Sequence, residues 1–300
     1  MNVAVIETSG LTKAFAPGRG VFDLDLAVAE HEIFGFLGPN GAGKTTTIRL
    51  LLDFLRPAAG HARVFGLDTR RQSVAIRAKL GYVPGEVHLP EHLTGREFIA
   101  YQSALRGSAV PERRLAELVS ALDFDPSLRM KTLSKGNKQK MALIQAMVHD
   151  PPLLVLDEPT EGLDPLMQHT FYGLLEAYRA AGGTVFMSSH VLPEVERVCD
   201  RVAIIRAGRL AVVESVADLV GRKVRNLEVV FGADIQAAAF LDGLEGVTVR
   251  SWENRRANFA VAGAVDPVLK RLAAFPVADL TFAPASLEEA FMDYYRQVEP

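Results

Sequence analysis

The chain has 300 residues, 49% of them hydrophobic, enough to bury a sizeable core in one large domain or two smaller ones, which excludes a disordered protein. A formal net charge of -3 offers no electrostatic case for nucleic acid as the main partner. Cys199 stands alone, excluding an intramolecular disulfide and any CxxC metal spacing; a cytosolic setting follows, with Cys199 read as a half-buried helix residue. Met1 to Gly10 lacks a basic segment followed by a long apolar one, and no apolar run reaches the roughly eighteen residues of a spanning helix. Any membrane role is therefore expected to pass through a separate subunit.

Taken in chain order, short β-rich runs alternate with amphipathic helical stretches up to about residue 220. Glu32–Leu37, Leu80–Val83, Leu153–Asp157, Thr184–Ser188 and Val202–Arg206 read as strands, which predicts an α/β core with a largely parallel sheet. The first of them runs into Gly38-Pro39-Asn40-Gly41-Ala42-Gly43-Lys44-Thr45 and then a helix read as Thr46–Leu55, the strand–loop–helix context of a GxxxxGK[ST] phosphate loop. Its glycines let backbone N–H groups curl around phosphate oxygens, and the helix start adds a dipole favourable to anions. Lys44 is placed to reach the β and γ phosphates, and the Thr45 hydroxyl to ligate Mg²⁺.

Between Gly85 and Asp150 the pattern turns helical, with Thr94–Leu105, Pro111–Leu122 and Gly136–His149 as the candidates, a helical insertion at about residues 85–150. At the last of these, Leu133-Ser134-Lys135-Gly136-Asn137-Lys138-Gln139-Lys140 places a Ser-x-Gly turn before a helix read as Asn137–His149. The Ser134 hydroxyl, the Gly136 amide and the helix dipole make a second anion site. One anion does not need two such sites in one subunit.

The apolar run Leu153–Leu156 ends in Asp157, a buried strand presenting a carboxylate at the sheet edge where open parallel sheets place their ligands. Asp157 is the candidate Mg²⁺ ligand, and Glu158, one residue on, the candidate general base.

With the Leu133–Lys140 segment about twenty residues before that acidic pair, the sequence resembles the ABC ATPase family, which has its LSGGQ signature there. The resemblance implies an ATPase whose signature covers the γ-phosphate held by a second subunit, so that ATP joins a head-to-tail dimer. Phe15 then corresponds to the aromatic that stacks on adenine, and Gly38 to Thr46, with Thr46 included, to the phosphate cradle. Ser134, Gly136 and Asn137 correspond to the signature contacts, Asp164 in Glu161-Gly162-Leu163-Asp164 to the D-loop, and His190 in Ser188-Ser189-His190 to the switch histidine.

Two segments depart from the family pattern. Gly85-Glu86 follows Pro84 where members carry Gln, and Lys135 and Asn137 replace Gly and Gln of the signature. The same group of marks, with the closing Ser286-Leu287-Glu288-Glu289-Ala290-Phe291, looks like the exporters of drugs, antibiotics and lipids. ABC ATPases that act on nucleic acid or ribosomes form the alternative. DNA-repair members carry a long coiled coil before the signature, whereas here only 47 residues separate Gly85 from Leu133; ribosomal members carry two ATPase domains, whereas here there is one phosphate loop.

After Gly221 the succession changes to strand 227–231, helix 235–241, strand 247–251, strand 258–261, helix 267–273 and strand 278–282. That βαββαβ order is the ferredoxin-like pattern. A last helix is expected with Leu287, Ala290, Phe291 and Tyr294 on one face.

The sequence thus predicts a P-loop ABC ATPase core at residues 1–221 with a small α+β domain at 222–300. Lys44, Glu158 and His190 are its catalytic candidates, and Thr45 and Asp157 its metal ligands. The resemblance adds ATP and Mg²⁺, a homodimeric partner, integral membrane permease subunits, no direct nucleic acid, and a peripheral place on the cytoplasmic face of the cell membrane.

Overall fold

The computed structural model describes residues 4–221 and 225–283. Two long antiparallel strands, β1 (Ala4–Ala16) and β2 (Arg19–Ala29), lead to β3 (Ile33–Leu37) and the helix α1 (Lys44–Leu51). β4 (Ala59–Val64), β5 (Leu67–Asp68), α2 (Ser73–Ala78) and β6 (Leu80–Val83) follow. Next come the helices α3 (Gly95–Leu105), α4 (Glu112–Ala121) and α5 (Lys135–Met147). The chain returns through β7 (Leu153–Asp157), α6 (Pro165–Ala180), β8 (Thr184–Ser189), α7 (Leu192–Val198), β9 (Arg201–Arg206) and β10 (Arg209–Ser215).

These elements make two sheets. In the larger, ordered β10-β9-β3-β8-β7-β6, every neighbouring pair is parallel except β10 with β9. β3, β7 and β8 are buried at every position, the pattern of strands covered on both faces. Their register aligns Leu37 with Ser189 and Asp157 with Ser188, so three strands end together at one sheet edge. The smaller sheet, β2-β1-β4-β5, is antiparallel. One apolar core, which includes Ile6, Leu24, Phe34, Phe36, Ile48, Leu51 and Phe186, joins both sheets to α1. Buried side chains of this size each contribute about 1.5–3 kcal/mol.

Local chemistry fixes the helix starts. Thr94 caps α3 in a reciprocal box with Glu97, and Ser134 and Asp164 cap α5 and α6 through their side-chain oxygens. Three readings need correction. α1 begins at Lys44, two residues before the expected start, because Gly43 serves as its N-cap; it ends at Leu51, and Asp53 just beyond takes φ 59°. α5 begins at Lys135, which puts Gly136 inside the first turn rather than before it. Cys199 is the buried C-cap residue that follows α7, not a half-buried helix residue, and burial pushes its thiol pKa up.

The described residues fall into two compact units, the first ending at Ser215 and the second starting at Val216. The second holds α8 (Val216–Gly221), β11 (Arg225–Phe231), α9 (Ala237–Leu241), β12 (Val247–Glu253), β13 (Arg256–Val261), α10 (Asp266–Leu272) and β14 (Val277–Ala283). Its sheet, β12-β13-β11-β14, is antiparallel throughout, the arrangement that the βαββαβ reading implies. Alternation in β11 and β13 buries Leu227, Val229, Phe231, Ala257, Phe259 and Val261 against Phe240, Val268 and Leu272. Trp252 stacks on Phe231 with ring centroids 5.5 Å apart. The expected helix around Leu287, Ala290, Phe291 and Tyr294, and the Ser286–Phe291 run, lie outside the described residues.

Candidate nucleotide site

The site grows from the shared edge of β3, β7 and β8. Gly43 takes φ 115°, a conformation closed to side-chain-bearing residues, and a Cβ there would stand 3.0 Å from the Val21 side chain. This glycine turns the loop into α1 without offering a side-chain cap. The first N–H groups of a helix have no partner within it, so the start of α1 presents backbone donors and the positive end of its dipole. Lys44 is buried at this start, and its Nζ donates to the carbonyls of Gly38 at 2.6 Å and Pro39 at 3.2 Å.

Two adjacent acids stand opposite. Asp157 is fully buried; its Oδ1 accepts the Ser188 hydroxyl at 2.6 Å, while Oδ2 is buried with no hydrogen-bond partner. Together with desolvation, the larger cause, this carboxylate pushes the Tyr82 phenol up to about 12. Glu158 adopts φ 50° and is held there by its N–H, which donates to the Ser188 hydroxyl at 3.1 Å and carbonyl at 3.2 Å. The turn aims its carboxylate between two cations or donors: Lys44 Nζ is 3.1 Å from Oε1, and His190 Nδ1 is 2.6 Å from Oε2.

A cavity of about 770 Å³ brings Phe15 together with Asn40, Gly41, Gly43, Lys44, Thr45, Thr46, Asp157 and Glu158. Gly38, Pro39 and Ala42 do not line it. They support it from behind, Gly38 and Pro39 by holding Lys44 and Ala42 by accepting the Gly208 N–H at 3.0 Å. His190 reaches the cavity through Glu158. Glu161 of the D-loop run also lines it, as do Arg19, Arg49, Tyr82 and His88, which were not singled out in the sequence. Arg49 lies one turn beyond Thr45 on α1, which the helical period could have revealed. Arg19 needed the β1–β2 hairpin, whose turn returns the chain beside Phe15.

Ser134, Gly136, Asn137 and Asp164 stand elsewhere. Ser134 accepts the Asn137 N–H at 3.3 Å, and Asp164 the Met167 N–H at 2.9 Å. A Cβ on Gly136 would meet the Gly162 carbonyl oxygen at 2.8 Å, Gln139 donates to the Pro159 carbonyl at 2.7 Å, and Lys135 pairs with Glu161 at 2.5 Å. The signature turn is therefore packed on the loop after β7 of its own chain. A second cavity, about 510 Å³, lies between this turn and the Gly85–His88 loop, and Glu86 lines both cavities. Gly85 sits against Asp157: a Cβ there would be 3.3 Å from the unpartnered Oδ2.

Residues 21–161 match the family model described as ABC transporter. The chain is 34% identical to the Nod factor export ATP-binding protein I of Paraburkholderia xenovorans over 97% of both chains. It is 38% identical to the daunorubicin/doxorubicin resistance ATP-binding protein DrrA of Streptomyces peucetius, over 68% of this chain and 63% of that one. Among solved structures, the ATP binding subunit of an ABC transporter superposes with a TM-score of 0.68 at 29% identity, over 72% of this chain and 91% of that one. The fold is also that of a dimeric ATP-binding cassette, MJ0796, in a post-hydrolysis state bound to ADP and Pi, with a TM-score of 0.64 at 22% identity over 70% of this chain and 98% of that one.

Proposed function

The chain belongs to the ABC transporter family as an ATP-binding subunit, an ATPase, and on that premise we propose that it drives an export permease for drugs, antibiotics or lipids from the cytoplasmic face of the cell membrane. Similarity to a Nod factor export ATP-binding protein along 97% of both chains, the second unit included, supports the export reading. Among the described residues no helix is long and apolar enough to cross a membrane. We assign the permease to a separate partner. We assign residues 1–221 to the ATPase domain, with its helical part at about 85–150, and residues 222–300 to an accessory domain.

One observation carries the mechanism: Glu158 is fixed between Lys44 and His190 at the cavity that Asp157 lines. A carboxylate in that place polarises a water for in-line attack on the terminal phosphorus. Lys44 and the N–H groups at the start of α1 bind the phosphates, Phe15 stacks on the base, and His190 contacts the γ-phosphate. The unpartnered Asp157 Oδ2 suits a divalent cation, and Mg²⁺ held by Asp157 and Thr45 would neutralise charge on the phosphoryl oxygens. Ser134, Gly136, Asn137 and Asp164 stand apart from this cavity, which supports a second copy of the chain as the one whose nucleotide they cover. Closure of two chains around two ATP, and reopening after hydrolysis, would then pass through the helical part to the permease.

Glu158→Gln tests the assignment. The variant is expected to bind ATP with unchanged affinity by calorimetry and to lose about 10²-fold or more in turnover, the range for removing a general base. Near-normal hydrolysis would remove Glu158 from the role.

A further inference from the structure

His190 itself is half exposed and bonded to Glu158 at the cavity, while Ser189 and Glu194 beside it line none of that cavity. Ser189, buried at the end of β8, donates its hydroxyl to Glu194 Oε2 at 3.0 Å and accepts the Val191 N–H at 2.9 Å, so its side chain brackets His190. Glu194, in the first turn of α7, is only 7% exposed. A carboxylate so far from solvent is costly unless paired, and it lines none of the nucleotide cavity. On its other side stands α6. The buried Tyr172 phenol of that helix is kept neutral first by desolvation and then by the Glu194 carboxylate beside it, and the Arg197 guanidinium of α7 lies 5.2 Å from the Tyr172 ring centroid. The α6 helix begins at the Asp164 cap.

We propose that Glu194 is a positioning residue for ATP hydrolysis: held against α6 beside Tyr172 and bonded to Ser189, it fixes the backbone that keeps His190 on Glu158. The inference rests on the reading that His190 serves hydrolysis. It also gives the D-loop residue Asp164 a route to His190, through α6, that does not cross the nucleotide.

Steady-state ATPase kinetics of the full chain test it with Glu194→Ala, Glu194→Gln, Ser189→Ala, His190→Ala and the double variant Glu194→Ala/His190→Ala, with thermal unfolding measured for each. Glu194→Ala is expected to lower kcat about tenfold or more while KM for ATP stays within about twofold, since a small displacement of an aligned group acts on the chemical step. Glu194→Gln, which still accepts from Ser189, should retain most of the activity. Ser189→Ala removes the same link from its other end and should follow Glu194→Ala, which keeps the test alive if that variant folds poorly. In the His190→Ala background, Glu194→Ala should cost nothing further. An equal loss in both backgrounds, or a Gln variant as slow as the Ala variant, would overturn the proposal. A wild-type chain without ATP turnover would instead defeat the functional reading beneath it.

Discussion

The α1 and α5 helices both begin beside a glycine, and both starts carry the marks of anion binding, yet they are built differently. At α1 the N-cap is Gly43, without a side chain to satisfy the first N–H groups, and the cation at the helix start, Lys44, is buried beneath the loop carbonyls. At α5 the N-cap is Ser134, whose hydroxyl already accepts the Asn137 N–H, while Gly136 is pressed onto the Gly162 carbonyl and Lys135 onto Glu161. One start is left open to an anion within its own chain. At the other, the Asn137 N–H is already taken up by Ser134, and the turn is tied to the loop that follows β7. A short glycine-bearing motif therefore says less about ligand binding than the fate of the N–H groups behind it.

The largest expected effect falls on the open start. Lys44→Ala removes the buried cation and leaves Glu158 facing only His190, so ATP affinity measured by calorimetry on the full chain should fall by about 10²-fold or more, the order of losing a charge-assisted partner in a desolvated site. Unchanged affinity would dissolve the contrast between the two helix starts. Gly43→Ala comes next: a φ of 115° strains any other residue by about 1–3 kcal/mol, and the new methyl would crowd Val21 and Ile205, so both the melting temperature and ATP binding should drop. Gly136→Ala sharpens the comparison from the other side. Its backbone is helical and tolerates a side chain, but the methyl would sit 2.8 Å from the Gly162 oxygen, costing about 1–3 kcal/mol of overpacking. It should weaken turnover while sparing ATP binding by the isolated chain.

How much of this was legible follows from the same physics. Apolar runs such as Leu153–Leu156 announce strands buried on both faces, and the Gly–Lys–Thr loop between a strand and a helix announces its chemistry, because periodicity and glycine spacing are local properties. The β2-β1-β4-β5 sheet was not singled out: β1 carries register shifts against both neighbours, and those irregularities blur the two-residue period. Strand β10, largely half-buried, gave no clean alternation either. Arg19 and Tyr82 were missed because only the folded chain places them on the cavity. The Lys135–Glu161 pair and the Gly136–Gly162 contact were missed for a related reason: sequence comparison presents the signature as a phosphate contact, whereas its packing against its own D-loop depends on how α5 meets the end of β7.

The smallest effect is also the most discriminating. Ser134→Ala removes a helix cap, worth about 1 kcal/mol, and α5 keeps its apolar face, so the melting temperature should fall by only a few degrees. Because Ser134 lines no part of the cavity that holds Lys44, ATP affinity of the dilute, isolated chain should not change. If the second helix start serves the nucleotide of another copy, ATP-driven dimerisation by light scattering should weaken, and turnover should become more dependent on protein concentration than in the wild type. Were Ser134 instead a contact to its own chain's nucleotide, affinity would fall at every protein concentration and the concentration dependence would stay as it was. The two helix starts would then serve one site, and the distinction between an open and a satisfied start would lose its functional meaning.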